Sequence, residues 1–171
     1  MEITEFEDLA DRHYPMLYRF ALGLGCTKAY ASDLTQQSLS SWAFKKNLVC
    51  DDTHAKSALL AELYCLLQRD DRHENMPTQP DNLAQDDLSP WAVPPALDLL
   101  EPEEVMECLQ SINETFRVPL LLFYLGEQSF DEIAGILTIS PEVAISRLSM
   151  GKRVLQGILL RRCGQQQGQA Y

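Results

Sequence analysis

Apolar residues recur at intervals of three and four along most of this chain, the spacing of one face of an α-helix. Phe6, Leu9, Tyr14, Leu17, Tyr18 and Ala21 form the first stripe. Pro15 lacks a backbone donor, which predicts a kink or restart at that point. Gly23-Leu24-Gly25 predicts the helix end. A second helix is predicted from Lys28 or Ser32, with Ala31, Leu34, Thr35, Ser38, Leu39 and Trp42 on one face and Asp33 near its front. After a break around 47–53, a third helix is predicted over about 53–68. Ala58, Leu59, Leu63, Leu66 and Leu67 face inward in this reading, and Glu62 lies on the wet side.

Periodicity then stops. Residues 70–104 carry ten acids (Asp70, Asp71, Glu74, Asp81, Asp86, Asp87, Asp98, Glu101, Glu103 and Glu104), one base, Arg72, and six prolines. This is the composition of a linker. Leu88, Trp91, Val93, Leu97, Leu99 and Leu100 are nevertheless apolar enough to dock on a neighbouring helix or a partner groove.

Helical spacing resumes over about 102–112, with Pro102 at a favoured first-turn position, and over about 115–125, where Pro119 predicts a bend and Gly126 the end. Two short helices follow, about 129–137 and 141–160. Ser129 with Glu132 three residues on is a capping box. Phe130, Ile133, Ala134 and Leu137 give the first of these helices its inner face. Thr138-Ile139-Ser140 makes a short turn, Ser140 caps the next helix, and Pro141 opens it. Val143, Ala144, Leu148, Val154 and Leu155 are its packing residues.

Together these patterns predict an all-α protein of two small helical domains, 1–70 and 102–163, joined by an acidic Pro-rich linker at 71–101 and ending in a flexible tail at 164–171.

Two short helices around a three-residue turn have the frame of a helix-turn-helix, which lays its second helix in the major groove. The contact candidates on that helix are Ile145, Ser146, Arg147, Ser149, Met150, Lys152 and Arg153, with Glu142 at its front. The serines suit base edges or phosphates, the cations suit phosphates, and Ile145 suits a thymine methyl group.

Charge complicates the picture. The 171 residues hold 25 acids against 14 bases, a net charge of -11. That argues against extended nonspecific wrapping of nucleic acid, where each phosphate contact wants a cation. Residues 141–163 nonetheless hold Arg147, Lys152, Arg153, Arg161 and Arg162 against Glu142 alone. The basic charge is gathered where a reader would need it, although a hairpin used only for packing or protein docking would also show it. The acidic linker is expected to lie across the basic 147–162 surface in the free chain.

Five scattered cysteines, Cys26, Cys50, Cys65, Cys108 and Cys163, form no CxxC pair and read as reduced thiols of a cytoplasmic protein. No signal segment or membrane span is expected. Asp70, Asp71 and His73 read as solvated charge at a helix end. No nucleophile–base constellation, phosphate loop or metal spacing is present, so neither enzyme activity nor any metal or cofactor is expected.

Two strings, FEDLADRHYPMLYRFAL followed by ASDLTQQSLSSW, and SFDEIAGILTISPEVAISRLSMGKRVL, resemble a compact bacterial RNA polymerase sigma factor of the sigma-70 family, extracytoplasmic-function group. The resemblance covers roughly 5–70 and 102–160. It implies that Asp33, Leu34, Gln36 and Gln37 dock on core RNA polymerase and that the 53–69 helix, with Tyr64, meets the promoter's -10 element. It further implies that the 141–153 helix reads the -35 element and that the linker threads toward the RNA exit path. Partners would be core polymerase, promoter DNA and an anti-sigma factor, with the free chain a monomer.

The chain departs from the family pattern. Gln37 stands where an acid is usual, Trp42 sits one position early, and Glu62 stands where an apolar residue is common. Tyr64 and Cys65 replace frequent Arg and Asn, Ile145 replaces a frequent Lys, Met150 a frequent Arg, and Gly151 a frequent Ala. The alternative is a sigma-like regulator that keeps the fold and acts through protein contacts with little DNA binding.

Overall fold

The computed structural model describes residues 3–44, 52–69 and 102–167. These form seven helices and, among the described residues, no strand: α1 Ile3–Gly23, α2 Lys28–Phe44, α3 Asp52–Arg69, α4 Pro102–Gln110, α5 Glu114–Tyr124, α6 Phe130–Leu137 and α7 Pro141–Gln167. The linker, with its expected docking residues and its expected cover over the basic surface, lies outside the described residues.

The architecture is all-α, with two small helical domains. The helices α1, α2 and α3 pack on one another, as do α4 to α7, and α1 and α3 meet the second group. One apolar core runs through both, from Leu17, Phe20 and Leu24 through Leu59, Leu60 and Leu63 to Leu120, Leu121 and Leu155.

The stripe predicted for α2 is its buried face, residue for residue: Ala31, Leu34, Thr35, Ser38, Leu39 and Trp42. The two buried hydroxyls are satisfied locally. Thr35 donates to Ala31 O at 2.7 Å and Ser38 to Thr35 O at 2.8 Å, so neither carries an unmet polar group into the core.

Several details differ from the sequence expectation. α1 runs on through Pro15, so there is no restart at that point, and α5 continues through Pro119 to Tyr124. Pro15 is exposed, so water can reach the backbone it leaves unpaired. On α3, Leu60 is fully buried and Ala58 exposed, which turns the inner face by one position at that end. Glu62 accepts a 2.7 Å hydrogen bond from Ser41 on α2 instead of facing only solvent. The last helix reaches Gln167, so part of the expected tail is helical. Val143, expected to pack, is 40% exposed.

Gly151 has a packing reason. A Cβ there would lie 2.9 Å from the backbone oxygen of Phe116 and 3.0 Å from Leu120. Only a glycine lets α7 cross α5 this closely.

Candidate nucleic-acid interface

The capping box at the start of α6 is complete. Ser129 Oγ accepts from Glu132 N at 3.3 Å, and Ser129 N donates to Glu132 Oε2 at 2.8 Å. The Ser129 backbone donor, and then its hydroxyl, hold the Glu132 carboxyl below its ordinary pKa. The inner face of α6 is set by Ile133 and Ala134, both buried, with Phe130 and Leu137 half-buried. Thr138 closes the helix in the left-handed region at φ 55°. After the turn Ser140 Oγ accepts from Val143 N at 3.4 Å, starting α7. The bend between α6 and α7 is 101°, within the range of a helix-turn-helix.

The predicted contact residues on α7 do not share one surface. Ser146 is exposed, while Ile145, Arg147, Ser149, Met150 and Arg153 are half-buried. Lys152 departs from the expectation most: it is 4% exposed, its ammonium 4.6 Å from the centre of the Phe123 ring and 5.4 Å from that of Tyr124. Burial lowers its pKa. The cause is helical phase, since Lys152 lies four residues after Leu148 and falls on the same inward stripe.

Arg147 and Tyr64 come together. They line a cavity of about 140 Å³ with Glu114, Thr115, Val118, Pro119 and Leu137, at the meeting of α3, α5 and α7. Burial first, and then the charge of Glu114, raise the Tyr64 pKa, and the Gln68 hydrogen bond and then Arg147 partly offset this. The helix-3 and helix-7 members of the predicted DNA surface therefore face each other.

On α2, Asp33, Gln36 and Gln37 are exposed on one side, whereas Leu34 is 2% exposed. Leu34 packs the helix and leaves its three neighbours to present an outer surface. Among the described residues no cluster of three His, Cys, Asp or Glu side chains is placed to hold a metal. No single helix among them is long and apolar enough to cross a membrane.

The sequence patterns missed a polar seam between the domains. The Ser57 hydroxyl on α3 reaches Gln128 Oε1 and, at 2.8 Å, Glu132 Oε1. Lys56 pairs with Glu127 at 2.6 Å. Gln68 donates to Glu114 at 3.2 Å, and Gln110 to Leu22 O at 2.8 Å. Beneath it Arg117, fully buried, donates to Gln110 O at 2.8 Å and to Leu24 O at 3.4 Å. Only Arg117 had a signal in the sequence, as the one base inside the apolar segment ETFRVPLLLFY.

The fold is similar to that of a solved structure, the sigma factor RpoE in complex with the anti-sigma factor NepR from Bartonella quintana. The TM-score is 0.62 at 19% identity, over 92% of this chain and 98% of that one. At that identity the likeness establishes the fold. No protein-family model and no curated protein sequence matches the chain.

Proposed function

We propose that this protein is a sigma factor of the extracytoplasmic-function type, which binds core RNA polymerase and directs promoter recognition and transcription initiation. The observation that carries this reading is the α6–α7 unit: a complete capping box, a three-residue turn and a 101° bend, set after α4 and α5 in a fold like that of RpoE. The domains are taken as 1–70 and 102–163, with 71–101 as the linker.

In this reading Ser146, Ile145 and Ser149 approach base edges, and Arg147 and Arg153 reach phosphates. Lys152 contributes through packing. Asp33, Gln36 and Gln37 offer the polymerase a polar patch, and Tyr64 offers a ring for stacking on an unpaired base. Polymerase supplies part of the binding energy, which suits a reader with few cations. The RpoE structure holds an anti-sigma factor, and a partner of that kind is proposed here as well.

A second reading has its own observation. With Lys152 buried and Arg147 turned toward Glu114 and Tyr64, little positive potential is left on the reading face. This favours a sigma-like regulator that acts through protein contacts.

Pull-down with core polymerase, followed by run-off transcription on a randomised promoter library, separates the two. Binding with initiation at a defined sequence class supports the sigma factor. Binding without initiation moves the conclusion to the regulator, and no binding removes both.

A further inference from the structure

We propose that the cavity at the meeting of α3, α5 and α7 is a binding site for a small aliphatic α-amino acid, held as its zwitterion. The inference goes beyond the sigma-factor reading and does not depend on it.

The lining residues sort by chemistry. On α5, Glu114 and Val118, and again Thr115 and Pro119, are one turn apart, so they present one face to the space. Tyr64 of α3, Leu137 of α6 and Arg147 of α7 complete the wall. The result is a guanidinium, a carboxylate, and a hydrocarbon surface from Val118, Pro119 and Leu137.

Both charges are left for a ligand. Arg147 is half-buried and, among the described residues, forms neither an ion pair nor a hydrogen bond. A guanidinium drawn partly out of water still needs an anion for its donors, and a carboxylate matches its fork bidentately. Glu114 is half-buried as well and accepts a 3.2 Å hydrogen bond from Gln68 through Oε1. Its other oxygen is left for a donor from the cavity.

Pro119 adds a further acceptor. It has no N–H, so the helix bond that Thr115 O would accept from position 119 is missing. Thr115 and Pro119 both line the cavity, which puts this acceptor at its wall. An ammonium group carries enough donors to satisfy the Glu114 carboxylate and Thr115 O together.

Size and charge narrow the ligand. The volume is about 140 Å³. A cavity of about 150 Å³ takes a benzene-sized molecule, whereas drug-sized ligands need roughly 300 Å³ or more. A lone anion here would meet the Glu114 carboxylate, and a lone cation the Arg147 guanidinium. Burial first, and then Glu114, raise the Tyr64 pKa, so Tyr64 stays a neutral phenol and leaves the charges balanced. A molecule of this size with both charges and a short hydrocarbon group is an amino acid such as valine or proline. Its carboxylate goes to Arg147, its ammonium to Glu114, and its side chain to Val118, Pro119 and Leu137.

The test is heteronuclear NMR titration of the full-length chain with L-valine, L-proline and L-alanine. Isovalerate, which lacks the ammonium, L-valinamide, which lacks the carboxylate, and inorganic phosphate are titrated in parallel. The same series is run on Arg147→Met, Glu114→Gln and Arg161→Gln, the last removing an exposed cation of α7 outside the cavity. L-Valine should bind the wild type with a Kd on the order of 1 mM, the strength open to so few atoms, and raise its melting temperature as concentration rises. Arg147→Met and Glu114→Gln should each weaken L-valine about tenfold, and Arg161→Gln should leave it unchanged. L-Valinamide should bind Arg147→Met as well as it binds the wild type, and isovalerate should bind Glu114→Gln no worse than the wild type. Loss of folding cannot produce that cross, because each variant keeps its affinity for one analogue.

No saturable binding of any of the three amino acids overturns the site. Phosphate or isovalerate bound as tightly as L-valine overturns the zwitterion. Equal weakening in Arg161→Gln overturns the placement in this cavity.

Discussion

The ammonium of Lys152 lies over the Phe123 ring at 4.6 Å, on the buried side of the helix proposed to read DNA. Its neighbour Arg153 is half-buried and has access to solvent. The two adjacent cations should therefore behave differently. Lys152→Ala is expected to lose about 1–3 kcal/mol of stability, through the packing of its stem, and to leave the salt dependence of DNA binding unchanged. Arg153→Gln is expected to leave stability within about 0.5 kcal/mol and to reduce the salt slope by about 1. Urea unfolding and DNA titration of the polymerase-bound protein at several salt concentrations check both. The pH dependence has a definite sign. Burial puts the folded pKa of Lys152 below its unfolded value, so the penalty for burying the charge is complete at pH below the folded value. It fades as pH rises from the lowered folded value to the unfolded one.

Ser129→Ala removes the acceptor for Glu132 N and the hydroxyl that also donates to the Glu132 carboxylate. The expected cost is about 1 kcal/mol, within the range for lost N-caps. The acid dependence follows from Glu132. Its folded pKa is depressed, so its stabilisation is present above the unfolded value and is lost as pH falls through the folded one. Thermal melts of wild type and Glu132→Gln from about pH 6 downward should converge at the acid end, once pH has fallen below the depressed folded value. A gap that stays constant with pH would mean the carboxylate form contributes nothing.

What could be read in the sequence was local. The α2 stripe from Ala31 to Trp42 is a matter of 3.6-residue periodicity, and the Ser129–Glu132 cap is a matter of spacing, so both were fully legible. The phase of a helix against its neighbours was harder. Lys152 reads as a surface cation in one dimension, because its charge outweighs its place on the stripe. The family resemblance gives Leu34 a contact role, whereas its periodicity places it inside, where it lies. The seam was not legible, because Ser57 and Glu132 lie 75 positions apart and nothing in either segment refers to the other. Both prolines lie inside continuous helices, so the missing donor at Pro15 or Pro119 ends neither of them.

Thiol chemistry should divide the described cysteines sharply. Burial pushes the Cys26 pKa up to about 11, against a smaller opposing effect of Arg117. Cys108 is also buried, and Cys65 is exposed. The thiolate is the reacting species, so at about pH 8 only on the order of a thousandth of Cys26 is reactive, before access is counted. Brief treatment of the native chain with iodoacetamide, followed by peptide mapping, should find Cys65 modified and Cys26 and Cys108 intact. Urea should expose Cys26 and Cys108 together, because both belong to the one apolar core. Labelling of Cys26 ahead of Cys108 would mean that α1 and α2 open first.

Gly151→Ala sets two rules against each other. In a free helix the change gains about 1 kcal/mol, because glycine is a poor helix former. Here the new Cβ would stand 2.9 Å from the Phe116 carbonyl oxygen and 3.0 Å from Leu120. The carbonyl belongs to the backbone of α5 and cannot rotate away, so α7 must shift from α5. Overpacking of this kind costs about 1–3 kcal/mol, enough to cancel the propensity gain and leave a net loss. The shift would also move Arg147, one turn earlier on the same face, within the cavity it shares with Tyr64. Gly151→Ala should therefore lower the urea midpoint and change the ultraviolet titration of Tyr64, whose pKa is raised by burial there. A variant more stable than wild type, with an unaltered tyrosine titration, would show that α7 does not press on α5 at this point.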